Sequence, residues 1–372
     1  MALFDKRFIV SFALIFLAAA GLKAAPIKIG QTADFSGPIA PGVREATAGA
    51  KAVFDSVNRS GGIDGREIEL ISLDDKFNPE LAAQNAKELI SQGVVSLFLT
   101  RGTPHTQAIL PLLLEYKTPL VGPSTGAMTF HQPVHPWLFN VRATYQKEAE
   151  RAVRHLSLVG VARIAIVQVD DSFGADAVRG ALAGFEAVGK RPAVHVTFDR
   201  NKPDMRSAVD KIIAANTQAA LFLANGAVIA DAAQRLREAG SRVQIVTLSN
   251  NASSGFIKML GAHSRGTIVS QVYPYERSIA SGVVREAREL AKANGAGDVS
   301  PSFLEGMIAA KVLVEGLRRA APHIDRAGLR SSLEGIKRLD LGGIELSYGP
   351  NDHSGLDFAD LSIIGETGKF ER

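Results

Sequence analysis

The sequence predicts an α/β protein built as two doubly wound parallel-sheet lobes. Three observations lead there. The chain has 372 residues, long for one domain when domains run to roughly 150 residues. Short apolar runs rich in β-branched residues alternate with segments whose apolar residues recur at helical spacing, the pattern of a parallel sheet with crossover helices on both faces. That alternation breaks at HQPVHPW (His131 to Trp137), around Pro133, Pro136 and the single tryptophan, and then resumes as a second run of the same kind.

Met1 to Ala25 places Lys6 and Arg7 before the apolar run FIVSFALIFLAAA and ends in small residues at Ala24 and Ala25. This is the layout of a secretory signal peptide, because the run is shorter than the ~20 residues of a spanning helix. After it, IKIGQTA reads as a buried strand and Val43 to Val57 as an amphipathic helix ended by the Gly61-Gly62 pair. Glu67 to Leu73 alternates as a strand, and Pro79 to Ser91 reads as a helix with Asn78 as N-cap and Pro79 at its first position. VVSLFL, a helix over Thr106 to Tyr116 and PLVG complete the first run. The second begins with a helix from Tyr145 to Val159 and the strand Arg163 to Asp171. A helix from Ala175 to Val188, AVHVTF, a helix from Met205 to Ala215, AALFLA, a helix from Ala227 to Ala239 and QIVTLS follow, with a further helix expected near Ala252. GTIVSQVYPYE reads as a strand that closes on proline and crosses back. Helices from Gly282 to Ala293 and Ser302 to Ala320 come next, then strands GGIELSYG and FADLSIIG. The expected division is a signal peptide over 1–25, one lobe from 26–141 with 273–335, and a second from 142–272 with 336–372. The three crossings then fall at Asn140 to Ala143, in GTIVSQVYP, and near Gly335.

Composition narrows the function classes. With 46% hydrophobic residues the chain can bury two cores. Of the formal charge of +4, Asp5, Lys6, Arg7 and Lys23 contribute +2, leaving 4 − 2 = +2 after the signal segment. A near-neutral chain without a basic stripe argues against nucleic acid. Cysteine is absent, so there is no lipid-attachment cysteine, disulfide framework or thiol chemistry. The expectation is a periplasmic protein, exported and not lipidated.

The stretch Val94 to Phe130 carries the candidate site. Both of its strands end in small hydroxyl-bearing turns, Thr103 in RGTPHT and Ser124 with Thr125 in GPSTG. These turns place hydroxyl and N–H donors at the carboxyl edge of one sheet, where ligands bind in open α/β folds. The helix that follows the first turn adds free N–H groups that favour a carboxylate.

SGPIAPGVREATAGAKAVFDSVNRSGGIDGREIELISLDDKFNPELAAQNAKELI resembles the N-terminal signature of the leucine/isoleucine/valine-binding protein family, the substrate-binding proteins of branched-chain-amino-acid-type ABC transporters. VGPSTGAMTF, FNVRATY, DDSFGADAVRG, LREAG, GTIVSQVYP and SYGPNDHSGLDFADLSII agree in order. The resemblance implies a type I periplasmic binding fold with a three-segment hinge, a ligand held in the cleft, hinge closure, a monomer and a membrane ABC permease as partner. By position it also implies ligand contacts at Arg101, Gly102, Thr103, Ser124, Thr125 and Gly126 of the first lobe. In the second it implies an aromatic lid at Phe173 and loop contacts at Asn225, Gly226, Ser249, Asn250 and Asn251. Amino-acid binders of this family carry an acid in that last loop, and SNNASSG has none. The set therefore suits a carboxylate or amide ligand, and an α-ammonium would fall to Asp34, Asp170 or Asp171. Arg101 is a further departure that offers a charge-assisted hydrogen bond to an acid. No cofactor or metal is implied.

Each of these residues also has a plainer reading. Thr103, Ser124 and Thr125 suit turns, Asn250 and Asn251 suit a helix cap, and Arg101 and Arg44 suit solvated loops. Asp74 with Asp75, and Asp170 with Asp171, read as strand ends, because no histidine stands at ligand spacing. GPSTG fits the G-x-S-x-G nucleophile elbow, with Asp352 and His353 downstream, but that motif needs a helix straight after Ser124 and the prolines leave no room for one. A ligand-sensing protein that reports to a membrane receptor is the alternative to transport on the same fold.

Overall fold

The computed structural model describes residues 25–372. The predicted signal segment, save Ala25, lies outside the described residues. The first five strands are β1 (Ile27–Ala33), β2 (Ile68–Asp74), β3 (Ser96–Phe98), β4 (Leu120–Val121) and β5 (Leu138–Phe139). They form a wholly parallel sheet in the order β2-β1-β3-β4-β5. Between them run α1 (Ala40–Arg59), α2 (Pro79–Ser91) and α3 (Thr103–Glu115). Asn78 caps α2 through its side chain, which accepts from the N–H groups of Glu80 and Leu81, with Pro79 at the first position as the sequence predicts.

Side-chain alternation sorts this sheet's two faces. Leu97, Leu120 and Leu138 enter the cluster that holds the apolar faces of α2 and α3, while their neighbours Phe98, Val121 and Phe139 enter the one that holds α1. The second face is closed by α9 (Gly282–Ala293) and α10 (Pro301–Ala320), which the chain contributes after a long excursion. Helices α1 and α10 touch backbone to backbone. A Cβ on Gly306 would sit 1.7 Å from the Ala46 carbonyl oxygen and one on Gly49 2.0 Å from that of Phe303, so glycine is what permits the approach.

The excursion is the second lobe. Its helices are α4 (Tyr145–Leu158), α5 (Ser172–Ala187), α6 (Met205–Ala214), α7 (Gly226–Glu238) and α8 (Ser254–Leu260). They alternate with β6 (Ile164–Val169), β7 (Val194–Phe198), β8 (Ala219–Leu223), β9 (Gln244–Thr247) and β10 (Ile268–Gln271). These strands are parallel in the order β10-β9-β8-β6-β7. Beyond β10 the sheet is extended by β13 (Asp360–Ile364) and β14 (Phe370–Glu371), each antiparallel to its neighbour.

The structure corrects two expectations. The helix expected near Ala252 starts at Ser254 and is capped by Ser253, whose hydroxyl oxygen accepts from Phe256 N–H, so Asn250 and Asn251 are not its caps. After α11 (Arg326–Glu334), GGIELSYG does not join the second sheet. Its strand β12 (Glu345–Leu346) pairs with β11 (Leu339–Asp340), and Ile336, Leu341, Leu346, Tyr348 and Leu356 pack into the core of α1 and α10. The third crossing, expected near Gly335, therefore falls between Leu356 and β13. It lies against the first crossing: Leu356 N–H donates to the Val141 carbonyl at 3.1 Å, and the Tyr348 hydroxyl donates to the Asn140 carbonyl.

Candidate functional site

The carboxyl ends of both sheets face one cleft, the place where open α/β sheets bind small ligands. The first lobe contributes Ile39, Phe77, Arg101, Gly102, Thr103, Pro104 and Ser124. The start of α4 contributes Tyr145, and the second lobe contributes Val169, Asp171, Phe173, Phe198, Arg200, Asn225 and Asn250. Of the residues singled out from sequence, Arg101, Gly102, Thr103, Ser124, Phe173, Asn225 and Asn250 meet here. Thr125, Gly126, Gly226 and Ser249 stand behind the wall and not in it.

Each of those four has a structural task. Thr125 is fully buried and its hydroxyl shares a 2.8 Å hydrogen bond with that of Thr103, which ties the start of α3 to the turn after β4. Gly126 accepts from Tyr145 N–H at 2.7 Å, and a Cβ there would lie 2.6 Å from the Ala143 carbonyl oxygen. Gly226 opens α7 under the Phe256 ring. The Ser249 hydroxyl accepts from Arg142, and its N–H donates to Glu148 at 2.9 Å. Asn251 ties its side-chain N–H groups to the Ala224 carbonyl and Thr247 hydroxyl.

Beneath the cleft runs a buried charge network. Arg101 donates through Nη1 to the Ser124 hydroxyl at 3.0 Å and to Glu305 at 3.4 Å, and through Nη2 to the Asn250 carbonyl at 2.7 Å, across the lobes. Glu305, on α10, also pairs with Arg142 of the first crossing at 3.4 Å, and Arg142 pairs with Glu148 on α4 at 2.5 Å. Glu148 further accepts from the Ser270 hydroxyl. Burial works against the Arg142 charge, but Tyr145, Glu148 and Glu305 outweigh it and hold the guanidinium well above the ordinary arginine range. Two arginines against two glutamates leave no net charge, which is how four such groups tolerate the interior.

The upper walls are aromatic. Phe173 meets Tyr145 edge to face at 4.8 Å between centroids. Phe77 is stacked against His105 at 4.9 Å between centroids and carries the Arg200 guanidinium at 4.1 Å from its ring centre. His105 is completely buried, and burial, then the Arg200 charge, lowers its pKa to about 4, so the ring is neutral. Arg200 reaches from the second lobe to the Phe77 carbonyl at 3.4 Å and is held within its own lobe by Asp171, to which it donates at 2.7 Å. Sequence reasoning missed Phe77, Arg200, Phe198 and Tyr145. Phe77 and Arg200 sit in loops just past the carboxyl ends of β2 and β7, so the rule that selected Thr103 and Ser124 would have reached both if applied to every loop.

The candidate ammonium partners fare poorly. Asp34 is fully buried and spends its carboxylate on the N–H groups of Gly37 and Ile39. Asp170 is exposed and outside the cleft. Asp171 lines it but caps α5, accepting from the N–H groups of Phe173 and Gly174 as well as from Arg200. Arg44 is exposed and donates to the Phe35 carbonyl. The elbow is not built either. A short 3₁₀ turn, Met128–Phe130, stands where a helix would follow Ser124, and His353 is buried against Phe139 with Nδ1 near the His135 and Leu138 carbonyls. Among the described residues no group of three or more His, Asp or Glu side chains is placed to hold a metal.

Two α/β lobes, three crossings and a cleft between the strand ends define a bilobed receptor for small solutes. Residues 26–357 match the family model described as periplasmic binding protein, and the chain belongs to that family. Among solved structures it is similar to a substrate-binding periplasmic protein from Ralstonia solanacearum, at 30% identity and a TM-score of 0.85, over 92% of this chain and 99% of that one. A possible leucine/isoleucine/valine-binding protein from Rhodopirellula baltica SH 1 superposes at 25% identity and a TM-score of 0.87, over 93% and 96% of the two chains. The Leu/Ile/Val-binding protein of Escherichia coli (strain K12) is 22% identical over 279 residues, 74% of this chain and 75% of its own. The fold is thus the type I periplasmic binding fold of the leucine/isoleucine/valine-binding group.

Proposed function

We propose that the protein captures a small carboxylate- or amide-bearing solute in the periplasm by closing its lobes, and delivers it to a membrane ABC permease. The observation that carries this reading is the convergence of an uncapped helix start at Thr103, the Ser124 hydroxyl and the Arg101 guanidinium with the Asn250 loop of the facing lobe. Direct lobe-to-lobe bonds support closure as the working motion. Glu45 accepts from the N–H groups of Ser254 and Gly255 at 3.1 and 2.9 Å, and Asp176 accepts from that of Met128 at 2.9 Å. A ligand that touches both lobes stabilises this arrangement by its preference for it over the open one. The binding-protein character of the relatives supports capture without chemistry.

A thermal-shift screen of the purified mature chain against amino acids, amides, ureas and aliphatic and aromatic acids tests the reading, since a ligand that binds only the folded state raises the melting temperature. A true ligand should also shrink the radius of gyration in solution scattering. The transport role is tested separately, by uptake of that ligand in cells with and without the protein and its permease. Failure of every solute class to raise the melting temperature would refute capture.

A further inference from the structure

We infer that the cleft takes a carboxylic acid with an apolar aromatic or branched body that carries a hydroxyl or amide N–H in place of an α-ammonium group. The inference rests on the capture reading above and narrows it to a ligand class. Its core is the juxtaposition of free donors with a neutral acceptor, where an ammonium would call for an acid.

The donors come first. The Thr103 N–H lies in the first turn of α3, where Gly102 supplies no side-chain cap, so it is free for an anion at the positive end of the helix. The Ser124 oxygen already accepts from Arg101, so its proton is available to the cleft. A carboxylate can therefore take a backbone N–H and a hydroxyl, with the Arg101 charge directly behind.

The acceptor is Asn250. Its Nδ2 is anchored on the Ala224 carbonyl at 3.1 Å, which fixes the orientation of the amide, and its Oδ1 is buried with no partner. The Asn250 carbonyl accepts from Arg101 at 2.7 Å, which places this residue at the same end of the cleft. A buried acceptor without a partner is costly, and a ligand hydroxyl or amide N–H would satisfy it. An ammonium there would meet one neutral oxygen and a neighbouring guanidinium. The nearby carboxylates are committed: Asp171 to two N–H groups and Arg200, Glu305 to Arg101 and Arg142. Stripped of water beside a like charge, the ammonium would lose more than it gains.

The body of the ligand is read from Phe77, Tyr145, Phe173 and Phe198. Their faces and edges cover an apolar chain or ring, and of the four only the Tyr145 phenol carries a hydrogen-bonding group.

The test is titration calorimetry on the mature chain with matched pairs that differ by a hydroxyl in place of the α-ammonium: 2-hydroxy-3-phenylpropanoate against L-phenylalanine, and 2-hydroxy-4-methylpentanoate against L-leucine. The wild type should bind at least one acid tenfold or more tightly than its amino acid. The isosteric Asn250→Asp variant supplies the missing charge and should move that ratio at least tenfold toward the amino acid, with an unchanged thermal melt as the folding control. Tighter binding of either amino acid by the wild type overturns the inference, and so does an Asn250→Asp protein that folds normally with the ratio unmoved. If only sugars or cations bind, the ligand class is wrong and capture stands. If no solute of any class binds, capture itself fails.

Discussion

Glu148→Gln should destabilise the protein strongly, because it breaks the charge balance under the hinge without opening a cavity. Glu148 is 0% exposed and Arg142 1%. Glutamine keeps the shape, and its side-chain oxygen can still accept from the Ser249 N–H, now at 2.9 Å. What disappears is the charge opposite Arg142, 2.5 Å away. Glu305 then stands alone against Arg101 and Arg142, each at 3.4 Å. Removing one partner of a buried, hydrogen-bonded ion pair costs about 3–5 kcal/mol. At roughly 2–4 °C per kcal/mol for a unit of one lobe's size, the melting temperature should fall by about 10 °C.

Scanning calorimetry on wild type, Glu148→Gln, Arg142→Met and the double variant gives the answer directly. The double variant removes both charges and should recover part of the loss, with a coupling of about 2 kcal/mol or more between the sites. A Glu148→Gln melt within about 0.5 kcal/mol of wild type would refute the reasoning, since that is the size of an ordinary surface change.

Three further outcomes follow from named contacts. Glu45→Ala removes the bonds to Ser254 and Gly255 N–H; bonds to a charged group are worth about 1.5–3 kcal/mol, so ligand affinity should drop about tenfold, and scattering should show a more open ensemble at nearly constant melting temperature. Asp75 is raised to about 7 by burial, with Asp34 and Asp74 adding to the rise. The folded state therefore holds the Asp75 proton that the unfolded chain has already lost, so this contribution is complete below the unfolded pKa near 3.8 and vanishes as pH climbs through about 7. Asp75→Asn should flatten the resulting decline in stability between pH 5 and 8, by roughly 2–4 kcal/mol on the usual 1.36 kcal/mol per pKa unit, as followed by denaturant melts across that range. Gly126→Ala would press a methyl onto the Ala143 carbonyl 2.6 Å away; overpacking of this kind costs about 1–3 kcal/mol, and ligand affinity should fall with it because Tyr145 is displaced.

The order of strands and helices was legible in the sequence because each lobe repeats one local rule, an apolar strand followed by a helix with one apolar face. Asn78 before Pro79 shows the rule at its most readable. The rule failed where partners come from far along the chain. GGIELSYG has the look of a strand, but nothing local says that it will pair with Leu339–Asp340 and bury Tyr348 over Phe139. The site was legible in half: Thr103 and Ser124 come just after strands that the alternation reveals, whereas Arg101 reads as a solvated loop arginine. Its burial depends on Glu305, more than two hundred residues away and on a helix that looks like any other core helix. Thr125, Gly126, Gly226 and Ser249 have the right chemistry and the right neighbours in sequence, yet their backbones turn them behind the wall.

That dual employment of Arg101 has a consequence for how the cleft works. The same guanidinium steadies Ser124 in one lobe, grips the Asn250 carbonyl in the other, and draws on Glu305 beneath. If the lobes part, the Asn250 bond breaks and the arginine is left with Ser124 and Glu305 alone, at the mouth of an open cleft. A carboxylate arriving at the Thr103 helix start would meet this charge before closure, and closure then returns Asn250 to it. Binding and hinge motion thus share one side chain, so Arg101→Lys, whose single nitrogen cannot stand where both guanidinium nitrogens do, should weaken affinity and loosen the closed state together. A variant that lost affinity by tenfold or more while scattering showed closure unchanged would separate the two and remove the coupling.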